Sequence, residues 1–139
     1  MKRILFATDG SKFSEHASSM VKEYLQAWPE AKLTVLYVTA KENYAYDLIP
    51  EAVDRYEKQL AKQIEQDALE KWFAPWKNRV MFLHLFGHPS TTICTVAEEE
   101  QSDIIIVGSH GRGAIDRMLL GSVAQSVLHR TKKPVLVVR

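Results

Sequence analysis

Apolar residues in this chain fall into five short runs. The runs are Ile4 to Ala7, Leu33 to Val38, Val80 to Phe86, Asp103 to Val107 and Val135 to Val138. They are rich in Val, Ile and Leu at consecutive rather than alternating positions, which is typical of parallel strands buried on both faces.

Helical spacing occupies the stretches between these runs. Apolar side chains recur every three or four positions in Ser14 to Ala27, residues 50 to 74, Pro89 to Glu100 and Ser122 to Arg130. Ser, Pro or Gly stands near the start of each segment, as expected at helix boundaries. The order β-α-β-α-β-α-β-α-β predicts an α/β fold, a doubly wound parallel sheet of five strands with helices on both faces.

Length, charge and cysteine content narrow the class of protein. With 139 residues, the chain is expected to form one domain, residues 1–139. The formal net charge is +1, so we expect no general electrostatic binding of nucleic acid. Cys94 is the only cysteine, which excludes an internal disulfide and a thiolate metal cluster.

The hydropathy pattern also bears on location. No segment approaches the roughly 20 apolar residues of a membrane span, and the first residues lack a signal-peptide pattern. We therefore expect a soluble, cytoplasmic protein without a membrane partner.

The loop after the fourth apolar run carries glycines that suit a phosphate group. In doubly wound sheets, ligands bind beyond the carboxyl ends of the strands, which directs attention to Thr8 to Ser14 and Gly108 to Ser122. Glycines allow backbone N–H groups to face an anion, and a helix N-terminus adds partial positive charge. A flexible loop with a C-cap glycine is the alternative interpretation, and Arg112 could either neutralise phosphate or remain solvated.

The glycine pattern itself is specific. Gly108, Gly111, Gly121 and Ser122 form G-x2-G-x9-G-S, which is neither a Walker loop nor the G-x-G-x-x-G fingerprint. It resembles the signature G-2x-G-9x-G-[S/T] of the ATP-binding branch of the universal stress protein family. Thr8-Asp9-Gly10-Ser11 near the start and Lys133-Pro134-Val135-Leu136-Val137-Val138 at the end are also similar to that family.

The resemblance covers the whole chain and implies the strand order 3-2-1-4-5. It further implies a site for ATP or another adenine nucleotide, with Mg²⁺ bridging the phosphates. The implied positions are Ala7 and Thr8 near the base, Asp9 beside the ribose or adenine, Val38 against adenine, and Gly108, His110, Gly111, Gly121, Ser122 and Val123 around the ribose and phosphates. Val107 and Arg112 complete the predicted binding set. The residues alone leave Asp9 open as a helix cap or an Asx turn, and Val38 open as core.

The last apolar run predicts self-association. Pro134 to Val138 is apolar on both faces, and the resemblance puts this strand, residues 134–138, at an edge of the sheet. An exposed apolar edge invites aggregation unless it is covered, so we expect a homodimer formed through this strand.

These patterns and the family resemblance together lead to three candidate functions. The main expectation is an ATP-binding stress-response regulator with at most slow hydrolysis, since neither a catalytic residue nor a protein metal ligand is predicted. The alternatives are a nucleotide-free dimeric interaction module and an adenylyl-transfer enzyme. Such enzymes, the ATP pyrophosphatases of a related fold, have a Ser-Gly-Gly-x-Asp-Ser phosphate loop after the first strand. This chain has Thr8-Asp9-Gly10-Ser11-Lys12 there, with one glycine, which argues against the enzyme.

Overall fold

The computed structural model describes residues 1–40, 48–111 and 119–139. Its strands are β1 (Arg3–Ala7), β2 (Lys32–Thr39), β3 (Val80–Phe86), β4 (Ile104–Gly108) and β5 (Val135–Val138). They form a single five-stranded sheet in the order β3-β2-β1-β4-β5, and all neighbouring strands are parallel. The predicted strand order is therefore confirmed.

Among the described residues, four α-helices lie between the strands. They are α1 (Lys12–Ala27), α2 (Pro50–Gln66), α3 (Pro89–Glu99) and α4 (Ser122–Arg130). The prediction of one helix over residues 50 to 74 was wrong beyond Gln66, because the chain continues as a π-helical segment, Asp67–Trp72, and then a 3-10 segment, Ala74–Arg79. Pro75 lies in the first turn of the 3-10 segment, and a proline cannot continue an α-helix because it lacks the N–H group.

Alternate strand residues supply two cores on opposite faces of the sheet. Ile4 and Phe6 of β1 belong to a cluster that contains Val21 of α1 and Phe73. The second cluster contains Leu5 of the same strand together with residues of α3 and α4, for which Val96 and Val127 are examples. Side chains in a strand alternate between the faces, so burial on both faces confirms the prediction of helices on both sides.

The guanidinium group of Arg79 anchors the connection between α1 and β2. One terminal nitrogen donates to the carbonyl oxygens of Trp28 at 3.1 Å, Pro29 at 2.7 Å and Ala31 at 2.9 Å. The other donates to the carbonyl oxygen of Leu25 at 3.0 Å. These carbonyls lie at or just beyond the C-terminus of α1, where a positive charge is electrostatically favourable.

The sheet brings two loops to the same edge. Ala7, the last residue of β1, pairs with Leu36 on one side and with Val107 on the other. The loop after β1 therefore starts beside the loop after β4, at the point where strand order reverses. Of the helices formed by the described residues, none has both the length and the apolar content needed to cross a bilayer.

Candidate functional site

The loop after β1 is a hydrogen-bonded turn. The Thr8 N–H donates to the carbonyl oxygen of Leu36 at 2.9 Å, and the buried Thr8 Oγ1 accepts from the Gly10 N–H at 3.2 Å. The buried Ser14 hydroxyl donates to the same Thr8 oxygen. Gly10 has φ of +77°, a left-handed conformation that favours glycine. These bonds hold the turn against the end of the sheet.

Asp9 closes an Asx turn inside this loop. Its Oδ1 accepts from the Ser11 N–H at 2.9 Å. The N-cap of α1 is Ser11, whose hydroxyl oxygen accepts from the Ser14 N–H at 3.3 Å. Of the two local roles that the sequence left open for Asp9, the structure therefore shows the Asx turn rather than the helix cap. A half-buried carboxylate is thereby held at the carboxyl edge of β1.

The loop after β4 packs directly against the loop after β1. A Cβ atom added to Gly111 would lie 2.7 Å from Asp9 Oδ2. A Cβ atom added to Gly108 would lie 3.2 Å from the carbonyl carbon and oxygen of Phe13. Real Cβ contacts are rarely so short, so glycine permits both close approaches.

Gly121, at the end of the loop after β4, contacts the first residues of the same loop. Its N–H donates to the carbonyl oxygen of Ser109 at 2.6 Å. An added Cβ atom would lie 3.1 Å from both Ser109 O and His110 Cα. The glycine therefore allows backbone to meet backbone, and a larger residue would push the two ends of the loop apart.

Helix α4 starts at this meeting point. Gly121 is its N-cap residue and has no side chain to bond the N–H groups of the first turn, whereas Ser11 caps α1. The first two residues of α4, Ser122 and Val123, are exposed. The first N–H groups of a helix lack intrahelical partners and carry partial positive charge, so this terminus suits an anion.

His110 belongs to the loop after β4 and lies against the first turn of α1. Its Nδ1 is 2.9 Å from the hydroxyl oxygen of the buried Ser109, and its ring centroid is 5.1 Å from that of Phe13. Sequence reasoning predicted His110 but missed Ser109, Phe13 and Ser14. The available signals were that Ser109 stands inside the glycine motif and that Phe13 and Ser14 follow the Thr8–Ser11 turn.

The apolar residues of the predicted nucleotide-binding set lie at or near the ends of β1, β2 and β4. Ala7 and Val38 are half-buried and pack against the α3/α4 core cluster, to which the buried Val107 belongs. Val38 thus has a core role and also stands near the end of β2. Arg112 lies outside the described residues.

A separate polar cluster joins β2, β3 and α2. Glu57 Oε2 accepts from the Tyr37 hydroxyl at 2.6 Å and from the Thr39 hydroxyl at 3.2 Å. Thr39 Oγ1 is also 2.7 Å from His84 Nε2. Burial lowers the pKa of His84, and the negative charge of Glu57 opposes that shift. Tyr37 packs with α2 residues, whereas Val38 packs with the α3/α4 core.

The remaining pKa shifts lie away from the loops. Bonds from the Lys2 and Arg3 N–H groups lower the pKa of Asp103, with distances of 2.7 and 2.8 Å to Oδ2. Burial raises the pKa of the Cys94 thiol. Within residues 1–40, 48–111 and 119–139, the side chains form no group of three or more His, Cys, Asp or Glu that could hold a metal ion.

Comparison with known proteins gives a consistent set of relatives. A family model described as the universal stress protein family matches residues 1–139. A universal stress protein of Methanocaldococcus jannaschii is 30% identical over 99% of this chain and 94% of its own length. The solved structure of that protein has a TM-score of 0.81 with the same coverage of both chains.

Two further comparisons extend this set. A universal stress protein of Thermus aquaticus is 30% identical, over 99% of this chain and 98% of its own length. A crystal structure of a universal stress protein in complex with cAMP is 25% identical and has a TM-score of 0.74, with coverage of 99% of this chain and 97% of that one.

Proposed function

Because the chain belongs to the universal stress protein family, we propose that it binds ATP or another adenine nucleotide as a regulator of the stress response. The observation that carries this proposal is the contact of Gly121 with Ser109 and His110 at the start of α4. This contact sets an uncapped helix N-terminus beside a glycine loop, an arrangement suited to phosphate. The cAMP complex of a related universal stress protein supports an adenine nucleotide as the ligand.

The nucleoside would lie over the ends of β1 and β2. Ala7 and Val38 offer apolar surface to adenine, next to the Thr8 backbone. Asp9 Oδ1 accepts from the Ser11 N–H, and a carboxylate has enough acceptor sites to accept from a ribose hydroxyl as well. Hydrogen bonds to a charged group contribute about 1.5–3 kcal/mol, so Asp9 would contribute substantially to binding.

The phosphates would lie along the loop after β4. The three glycines Gly108, Gly111 and Gly121 leave room for close contacts within this loop and with the start of α1. Ser122 and Val123 are the first residues of α4. The Ser122 hydroxyl could donate to a phosphate oxygen, and Val107, His110 and Arg112 complete the proposed set. Arg112 would neutralise phosphate charge.

A magnesium ion would arrive with the nucleotide. Mg²⁺ retains several waters and is commonly held by substrate phosphates with one or two carboxylates. Such an ion requires no dedicated protein cage. It would screen the phosphate charges from one another, and the chain's own groups would bind the nucleotide around it.

Residues 1–139 would act as one domain in a homodimer formed through residues 134–138. β5 is an edge strand, with β4 as its neighbour, and each residue of Val135–Val138 is partly exposed. Pairing of two such strands about a two-fold axis would bury this apolar edge in a closed assembly. The cytoplasm, which supplies ATP, is the compartment that we propose.

Hydrolysis would be slow in this site. Asp9 already bonds the Ser11 N–H, and His110 Nδ1 lies beside the Ser109 hydroxyl, so both side chains serve local structure. Backbone contacts from the loop after β4 would bind the phosphates equally well in the ground state and in the transition state of hydrolysis. Such uniform binding does not accelerate the reaction. A phosphate-release assay should give turnover well below the roughly 10 s⁻¹ typical of enzymes. Turnover above about one per second would instead indicate an enzyme.

Calorimetry with nucleotide-free protein tests the binding site. Wild-type protein should bind MgATP with a dissociation constant on the order of 1 μM, about −8 kcal/mol. Gly121→Val should abolish binding, since its side chain would force Ser109 and His110 away from α4. Gln125→Ala changes an exposed residue of the same helix and should keep wild-type affinity. Equal affinity of the wild type and a folded Gly121→Val variant would refute the site.

A further inference from the structure

Phe13 makes two contacts with the end of β4 and the loop that follows it. Its ring centroid is 5.1 Å from that of His110, with an angle of 43° between the ring planes. Its carbonyl carbon and oxygen lie 3.2 Å from the position of a Cβ atom on Gly108. The first turn of α1 therefore supports the loop after β4 through backbone and side chain together.

The core clusters of the described residues do not account for the aromatic ring at this position. Phe13 is half-buried, and it belongs to none of the core clusters formed by the described residues. The α1 residues that fill the core include Ala17, Val21 and Leu25. The ring of Phe13 instead lies against His110.

His110 also lies against the start of α4. Its ring contacts that of Phe13, and its Nδ1 is 2.9 Å from the Ser109 hydroxyl oxygen. Its Cα is 3.1 Å from the position of a Cβ atom on Gly121. Gly121 is also bonded to Ser109. Because backbone meets backbone here, a displaced His110 would displace the N-cap of α4 as well.

We propose that Phe13 is a positioning residue, which sets nucleotide affinity by holding His110 and thereby the N-terminus of α4. This inference rests on the proposed nucleotide site and deepens it. Phe13 acts through His110 and Gly121 rather than through its own contact with a phosphate. An aromatic ring is required because an offset or tilted ring pair gains stability beyond its buried area.

The test compares three variants with the wild type by calorimetry with MgATP. Phe13→Leu removes the ring but keeps an apolar side chain, and it should weaken binding about three- to tenfold, the range of an aromatic pair. Phe13→Tyr keeps the ring and should restore wild-type affinity. Tyr24→Leu is the matched control, because it removes a ring pair with Trp28, at 5.2 Å, on the same helix. This control should bind like the wild type.

A double-mutant cycle separates positioning from general destabilisation. In a His110→Ala background, Phe13→Leu should cause no further loss of affinity, because its route to the site is gone. Ligand-free NMR provides a second readout. The Gly121 amide resonance should shift in Phe13→Leu and remain in place in Phe13→Tyr and Tyr24→Leu.

The outcomes distinguish this inference from the proposed function. If the wild type does not bind MgATP, the proposed function fails and the inference fails with it. If the wild type binds but Phe13→Leu binds equally well, only the role of Phe13 is overturned. Equal losses from Phe13→Leu in the wild-type and His110→Ala backgrounds would also overturn it.

Discussion

Replacement of Gly111 by alanine tests the contact between the two loops. The new Cβ atom would lie 2.7 Å from Asp9 Oδ2, a distance that ordinary packing does not allow. The backbone of Gly111 is not left-handed, unlike that of Gly10 or Gly87, so alanine itself is tolerated there. The strain therefore falls on the Asp9 side chain, which must rotate away.

The expected loss of stability follows from the bonds of Asp9. Rotation would break the bond from the Ser11 N–H to Oδ1, which is 2.9 Å long. A bond to a charged group contributes about 1.5–3 kcal/mol, and the reduced freedom of the unfolded chain returns about 0.4–1 kcal/mol. Gly111→Ala should thus lower the free energy of unfolding by about 1–2 kcal/mol.

Two measurements check this reasoning. Urea denaturation should show the loss in the wild-type background and no loss in an Asp9→Ala background, where the obstructing carboxylate is absent. Calorimetry should show at least about tenfold weaker MgATP binding by Gly111→Ala, because Asp9 would no longer face the ribose of the proposed nucleotide site. An equal loss of stability in both backgrounds would refute the proposed conflict between Gly111 and Asp9.

Three further predictions concern stability and assembly. Arg79→Met removes the guanidinium bonds to carbonyls at the end of α1 and should lower the free energy of unfolding by about 2–3 kcal/mol; a urea midpoint equal to that of the wild type would contradict this. The pKa of Asp103 is lower in the folded than in the unfolded chain, so its stabilising effect is present at neutral pH and lost as pH falls through the folded value. The stability advantage of the wild type over Asp103→Asn should therefore disappear in acid, and an advantage independent of pH would exclude this cause. Val137→Lys puts a charge on the exposed edge strand, so light scattering should find it monomeric while the wild type is dimeric; a monomeric wild type would refute the proposed interface.

The sequence predicted the strands well because burial on both faces leaves a direct signal. The run Leu33 to Val38 predicted β2, Lys32–Thr39, to within one residue at each end. Periodicity alone indicated a parallel sheet, but it contains no information about strand order. That order followed from the family resemblance and is confirmed.

The helix after β2 shows where periodicity fails. Apolar residues continue at helical spacing beyond Gln66, yet the chain changes to a π-helical segment in which the Phe73 N–H bonds Ala68 O at 2.9 Å. This hydrogen bond spans five residues instead of the four of an α-helix, and both Trp72 and Phe73 pack on the core. Such a change depends on tertiary packing, which local spacing does not record.

The candidate site was predictable in its glycines and less so in its contacts. Spacing alone predicted Gly111 and Gly121 as residues of a phosphate-binding loop, with a flexible loop as the alternative. The approach of Gly111 to Asp9 and the pairing of Phe13 with His110 join residues about a hundred positions apart, and only the sheet brings them together. The Asx turn of Asp9 was a local possibility, and its choice over a helix cap depended on Ser11 taking the N-cap position.

The identity of any nucleotide carried by the native protein tests the central claim most directly. The protein is purified without added nucleotide, denatured, and its small molecules are identified by mass spectrometry, in parallel with Gly121→Val. The account predicts an adenine nucleotide with the wild type and none with a folded Gly121→Val variant. A wild-type protein that carries no adenine nucleotide and does not bind added MgATP at millimolar concentration would contradict it.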